Sequence, residues 1–256
     1  MSVEQETGVY IFCVIQTEEP KDFGKITFDG KERETFTIHY EDAAMVAAEV
    51  PMKIYHPNKD NILVHQEVIS AVMGNEETVV PISFGNVFQS KEDVEVLLKN
   101  LYPQLAKLFP EIRNKIELGL KVVGKRDWLK EKVAKQPGVQ EQQETVSQKS
   151  KEAGYFDRIK LGEMAQNFFI SLQKDLEKAI HLPLTDLAES AKANEPIGEK
   201  MLINGSYLID RDKESQFDEK VNELHEEWKD RVDFKYTGPW PAYNFINIQL
   251  KVEENP

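Results

Sequence analysis

An uninterrupted apolar run, Val9-Tyr10-Ile11-Phe12-Cys13-Val14-Ile15, is the first readable element of this chain. Its β-branched and aromatic residues, bounded by polar stretches, predict a buried strand. Turn signals follow at Phe23-Gly24 and Asp29-Gly30. Further strands are predicted over Phe36–His39 and Ala43–Val50, although the alanines of the second also suit a helix. From Asn61 to Met73 the spacing changes to that of a helix, with Ile62, Gln66, Ile69 and Met73 on one face and Val68 and Val72 beside it. Thr78–Ile82 predicts a short buried strand. Ser90 followed by Asp93 is a capping signal. The helix it opens has its stripe at Val94, Leu97, Leu98, Leu101, Leu105 and Leu108. Pro103 falls inside and should kink or divide it. Ile116–Val123 predicts a strand with Leu118, Leu120 and Val122 on one face. Strands on two helices make residues 1–124 an α+β sandwich of ferredoxin-like type.

Residues 125–152 lose this patterning. Lys135-Gln136-Pro137-Gly138 breaks a helix, and within the Gln-rich segment 136–151 the stretch from Gln140 to Lys151 is almost wholly polar. A polar linker or exposed helical extension is expected there, with the domain boundary in it. A carboxy-terminal α+β domain, 153–256, then opens on a long amphipathic helix from Tyr155 to about Ile180. Phe156, Ile159, Met164, Phe168, Leu172, Leu176 and Ile180 form its stripe, read as a core face. Pro183 should end it, and Leu184–Ala193 reads as a shorter helix. Met201–Ile209 predicts a strand pair or bent strand. Phe217, Val221, Leu224 and Trp228 mark a helix over Asp212–Arg231. Strands at Val232–Thr237 and Phe245–Val252 close the pattern, joined through Gly238-Pro239-Trp240-Pro241.

Composition narrows the function. Of 256 residues, 40% are hydrophobic, enough for a core in each half. There are 45 acidic and 32 basic residues, a net charge of −13. Such a surface repels nucleic acid, whose binding needs clustered Lys and Arg, and it disfavours an anionic membrane. It favours solubility, which matters if the partner is itself apolar. Cys13 is the only cysteine, so no internal disulfide or Cys-rich metal site is expected, and its apolar run makes it a buried, inert thiol. That run is too short to span a membrane. Glu4 and Glu6 stand where a signal peptide would be positive. A cytoplasmic origin is expected.

Candidate chemistry is thin. Gly119-Leu120-Lys121-Val122-Val123-Gly124-Lys125-Arg126 has phosphate-loop spacing and supports a nucleotide-dependent enzyme as an alternative of a different class. However, Arg126 occupies the magnesium-holding Ser/Thr position, and the intervening residues alternate as a strand, so a strand end with a basic rim is the preferred reading. His39, His56, His65, His181 and His225 include no pair at ligand spacing on one helix. No nucleophile elbow is present. No catalytic, cofactor-binding or metal-ligating residue is expected.

Two apolar segments carry more. Val79 to Phe88 places Pro81 and Gly85 in a β-rich run, which should therefore bend or lie at a sheet edge. Thr237 to Phe245 is stiffened by Pro239 and Pro241 and carries Trp240, Tyr243 and Phe245. Such a segment presents a rigid apolar face to a partner or packs on its own core.

These segments, with Gly8-Val9-Tyr10, His65-Gln66-Glu67-Val68 and Glu117-Leu118-Gly119-Leu120-Lys121-Val122, resemble the GvpF/GvpL family of gas vesicle proteins, leaning to the F branch. The motifs occur in the family's order across nearly the whole chain. Ala242 stands where the family often has a second proline. The resemblance implies a non-enzymatic, two-domain accessory factor or minor vesicle component, with a ferredoxin-like amino-terminal domain. It further implies contact with the hydrophobic shell protein GvpA and with other gas vesicle accessory proteins. Its implied place is the gas vesicle, and the cytoplasm before assembly. Pro81, Phe84, Phe88, Trp240, Tyr243 and Phe245 are the candidate partner-binding residues. A role as a retained structural component of the shell is the alternative within the same biology.

Overall fold

Every residue from Val9 to Ile15 is buried in a computed structural model, which describes residues 6–28, 30–150, 153–198 and 200–248. They belong to β1 (Thr7–Gln16), followed by β2 (Lys25–Phe28), β3 (Lys31–Tyr40), β4 (Ala43–Pro51), α1 (Lys59–Asn75), β5 (Val79–Pro81), β6 (Val87–Phe88) and α2 (Lys91–Ile112). The sheet order is β2-β3-β4-β1-β5, with β6 also on β1. Tyr10 and Phe12 meet His65 of α1, whereas Ile11 and Val14 lie with Leu101 and Leu105 of α2. Neighbouring strand residues point to opposite faces, and the irregularity in β1 between Ile11 and Cys13 resets that alternation, so each face of β1 has its own helix. This erases the alternation that a one-sided strand would show.

The chain divides into two compact units, the first taking residues up to Glu117 and from Pro239 onward, the second Leu118–Gly238. The division thus falls inside β7 (Lys115–Gly124) and β10 (Val232–Trp240) rather than within 125–152. The ferredoxin-like order expected of residues 1–124 is not found there. That order needs a helix between the first and second strands, and four strands precede α1. The cause is the polar stretch before β4, which forms the antiparallel β2–β3 hairpin at the sheet margin.

The βαββαβ order lies in the second unit. Between β7 and β8 (Ser190–Ala193) run α3 (Arg126–Ala134), α4 (Val139–Gln148), α5 (Tyr155–Leu176) and the short α6 (Leu182–Thr185). Then come β9 (Met201–Asp210), α7 (Glu214–Trp228) and β10, and the sheet order is β10-β7-β9-β8. Polar 125–152 forms α3 and α4, joined by a turn at 135–138, and α4 buries Val139 and Gln142, with the Gln142 amide donating to the Asp157 carbonyl at 3.1 Å. Pro183 does not end the preceding helix. A π-helical turn over Glu177–His181 carries the chain into α6. The Ser190–Ala193 part of the helix expected over Leu184–Ala193 pairs with β9 instead.

Three further readings meet the structure. Pro103 neither divides nor ends α2, because it and Pro110 lie on the exposed side, where water satisfies the carbonyls left without a donor. Only Leu172, Leu176 and Ile180 of the long helix stripe are buried, while Phe156 is 80% exposed. Of the strand expected over Phe245–Val252, residues 245–248 form a turn and irregular chain, and 249–252 lie outside the described residues.

Candidate functional site

The free side of β1 is occupied twice. Val9 and Tyr10 pair with β6, and Cys13 to Ile15 pair with β5. Between them the chain leaves the ladder as a bend, tied by Ile82 N–H to the Phe12 carbonyl at 3.0 Å and by Ile11 N–H to the Asn86 carbonyl at 3.2 Å. Pro81 to Phe88 is therefore a bent edge, as Pro81 requires. Gly85, at φ 96°, supplies the left-handed turn.

A buried polar chain holds this bend from beneath. Gly85 N–H donates to Tyr10 Oη at 2.9 Å, and Tyr10 Oη stands 3.0 Å from His65 Nδ1. His65 Nε2 lies 3.1 Å from the Ile82 carbonyl, which can only accept. The proton therefore sits on Nε2, and Nδ1 accepts from the tyrosine. Burial holds His65 below its ordinary value and pushes Tyr10 up to about 12, so the chain is neutral and each of its groups has a partner. Phe84 packs on the same two rings, with centroids at 6.1 Å from Tyr10 and 5.7 Å from His65.

The second wall comes from the chain end. Pro241 and Ala242 are buried, and Phe245 N–H and Ile246 N–H both donate to the Ala242 carbonyl, at 3.0 and 3.1 Å. Glu117, buried in β7, accepts from Asn244 N–H at 2.8 Å and from the Asn244 side-chain amide. This turn sets Tyr243, Ile246 and Ile248 opposite Pro81 and Phe88, across a groove of about 340 Å³ floored by Ile11, Leu101 and Leu105. Ser83 and Asn86 give it a polar margin.

Of the six residues singled out in the sequence, Pro81, Phe88 and Tyr243 line this groove. Phe84 faces Tyr10 and His65 instead, and Trp240 and Phe245 are half-buried without lining it. Sequence reasoning missed Glu117 and Asn244. The only signal was a carboxylate, Glu117, near the start of the largely apolar Ile116–Val123 run.

The other candidates have structural surroundings. Gly119 to Gly124 lies wholly in β7. A Cβ on Gly119 would stand 2.9 Å from Thr237 Oγ1, and one on Gly124 would stand 2.8 Å from the Leu129 side chain. These glycines allow close packing, and the run is not a phosphate loop. His181 Nδ1 lies 2.7 Å from Tyr207 Oη, and His39 Nε2 lies 2.7 Å from Thr37 Oγ1. Cys13 is buried, and burial raises its thiol far above the ordinary range. Among the described residues no group of His, Cys, Asp and Glu could hold a metal ion. Among the same described residues no helix is long and apolar enough to cross a membrane.

Known proteins share this fold. The crystal structure of the gas vesicle protein GvpF from Anabaena sp. PCC7120 superposes with a TM-score of 0.79 at 20% identity, covering 97% of this chain and 100% of that one. Gas vesicle protein F1 of Halobacterium salinarum is 26% identical over 223 residues, 86% of this chain and 85% of that protein. Gas vesicle protein F of Haloferax mediterranei is 23% identical over 252 residues, 96% of this chain and 97% of that protein. The family model of gas vesicle synthesis protein GvpL/GvpF matches residues 8–247, from the second residue of β1 to just past the turn that carries Tyr243, and the chain belongs to that family.

Proposed function

We propose that this protein assists gas vesicle assembly by binding the hydrophobic shell protein GvpA in the groove between Pro81–Phe88 and Tyr243–Ile248, limiting its aggregation during nucleation. A shell protein that faces gas has apolar surface that self-associates in water. An acidic partner with an apolar groove covers such surface reversibly while its own charge of −13 keeps the complex dispersed. The observation that carries the reading is the groove itself, lined by Phe88, Tyr243, Ile246 and Ile248, each of its two walls held by its own hydrogen-bonded anchor. The work is done by surface and not by bond chemistry. It places the protein in the cytoplasm before assembly and at the vesicle thereafter, beside other accessory proteins. Capture of GvpA by the full chain, with and without Phe88→Ala/Tyr243→Ala, tests it. The double variant should fold and lose capture, and GvpA refolded beside it should scatter light as it does alone. Undiminished capture by the folded variant removes the groove from the function.

A further inference from the structure

A second and larger cavity, of about 920 Å³, lies within the second unit between α3, α4 and α5. Its apolar wall includes Leu129 and Phe169, and Arg126, Lys130 and Lys200 line it as well. Among the described residues no carboxylate lines it, although the chain as a whole carries −13. Cations gathered on an apolar hollow of an acidic protein complement an amphipathic anion.

Helix α5 extends this surface. Tyr155, Ile159, Gly162, Gln166 and Phe169 follow four-three spacing and share one helical face. Tyr155 is 57% exposed and Ile159 43%, so the apolar face continues outside the cavity. From Tyr155 to Phe169 it runs roughly 21 Å at the helical rise. That is long for a small ligand and suits several turns of a helix lying in a groove.

Gly162 is the independent sign. Glycine in mid-helix is disfavoured relative to alanine, and here neither backbone nor neighbours ask for it. Its φ is not positive, and a Cβ placed on it would meet nothing within 4 Å. Within the chain the glycine only opens a notch in the cavity wall.

We propose that this cavity and the α5 face leading out of it form a docking groove for an acidic amphipathic helix of a partner protein. The helix lays its apolar side over Gly162, Phe169 and Ile159, and its carboxylates meet Arg126, Lys130 and Lys200. This site is separate from the groove assigned to the shell protein and does not rest on it.

The test uses the full chain and a fluorescein-labelled synthetic helix of roughly 18 residues, five turns, with a leucine stripe flanked by glutamates, read by anisotropy. A twin with lysine in place of every glutamate is the control. The glutamate helix should bind, more weakly as salt rises, and the lysine twin should not. Gly162→Leu fills the notch and should lower affinity at least about tenfold, as should Arg126→Glu/Lys130→Glu, which leaves the notch open. Tyr243→Ala should leave this binding unchanged. Equal binding of the lysine twin overturns the proposal, as does undiminished binding by folded Gly162→Leu. Should Gly162→Leu fail to fold, the charge-reversed variant decides alone. Uptake of laurate with no helix bound would mean a small amphiphile site. Self-association lost in Gly162→Leu, again with no helix bound, would mean a second copy of this chain. Either result overturns it.

Discussion

The carboxylate of Glu117 grips Asn244 through both its backbone N–H and its side-chain amide, across 127 residues of sequence. The pair fixes the turn that carries Tyr243, Ile246 and Ile248, and so one wall of the groove depends on a single buried acid. Hydrogen bonds to a charged acceptor are worth more than neutral ones, so Glu117→Ala should cost roughly 2–3 kcal/mol in urea unfolding. Glu117→Gln, which keeps an acceptor oxygen, should cost less. Amide exchange at 243–248 should quicken in Glu117→Ala beyond what the global loss explains. Protection there equal to that of the parent would mean the pair is not the anchor.

Gly8 ties the opening motif to the same groove. A Cβ at this position would stand 2.9 Å from the Phe88 carbonyl oxygen and 2.8 Å from the Val87 side chain. Backbone cannot swing aside as a side chain does, so Gly8→Ala must push β6 outward and carry Phe88 with it. Overpacking of this kind costs about 1–3 kcal/mol. A drop in melting temperature with weaker capture of GvpA is the expected pair of results. A variant as stable as the parent would show that β6 yields freely.

What was legible in the sequence follows the range of the interactions involved. The capping box came from Ser90 and Asp93, three residues apart, and the structure forms both of its bonds, at 3.1 Å each. The continuous apolar run of β1 and the bend at Pro81 were equally local, and both appear. By contrast, Ser190–Ala193 has the alanine and lysine of a helix, and only pairing with β9 makes it a strand. The ferredoxin-like order was placed in the wrong half because the helices between β7 and β8 include polar α3 and α4, which show no continuous apolar face. Pro81, Phe88 and Tyr243 could be picked as apolar and stiff, but which of the six candidates line one groove is set by pairing of β5 and β6 with β1 and by the Glu117–Asn244 pair, and no local pattern announces either.

Two buried histidines make stability depend on pH. His65 and His181 each sit beside a tyrosine hydroxyl at Nδ1, and burial lowers both from the ordinary 6.5. Below pH 6.5 the unfolded chain takes up protons that the folded chain refuses. The neutral histidines therefore give their full stability above 6.5, lose it as pH falls toward their folded values, and lose no more below those. Each can contribute up to about 1.4 kcal/mol per pH unit in that window. The lowered carboxylates Asp42, Glu131, Asp157 and Glu226 act only lower, around their ordinary 3.8 to 4.5. Melting temperature should be flat from pH 8 to 7 and fall from 6.5 to 5, less steeply in His65→Gln. A slope that His65→Gln leaves unaltered would count against His65 as a source.

Phe84 and Phe88 stand four residues apart on the same bend and should behave differently. The Phe84 ring lies 5.7 Å from His65, on the side of β1 covered by α1, whereas Phe88 lines the groove with Tyr243. Both are half-buried, so truncation of either should cost less than the roughly 3–5 kcal/mol typical of a fully buried phenylalanine. Phe84→Ala removes support from the Tyr10–His65 chain and should lower the melting temperature, with capture of GvpA retained wherever the protein remains folded. Phe88→Ala should lower capture out of proportion to its effect on melting, because it removes contact surface rather than the scaffold beneath. Measuring capture and melting on both variants separates wall from support. If the two lose capture in proportion to stability alone, the groove is ordinary surface and the shell protein binds elsewhere. If Phe84→Ala alone loses capture while well folded, the contact lies on the α1 side of β1.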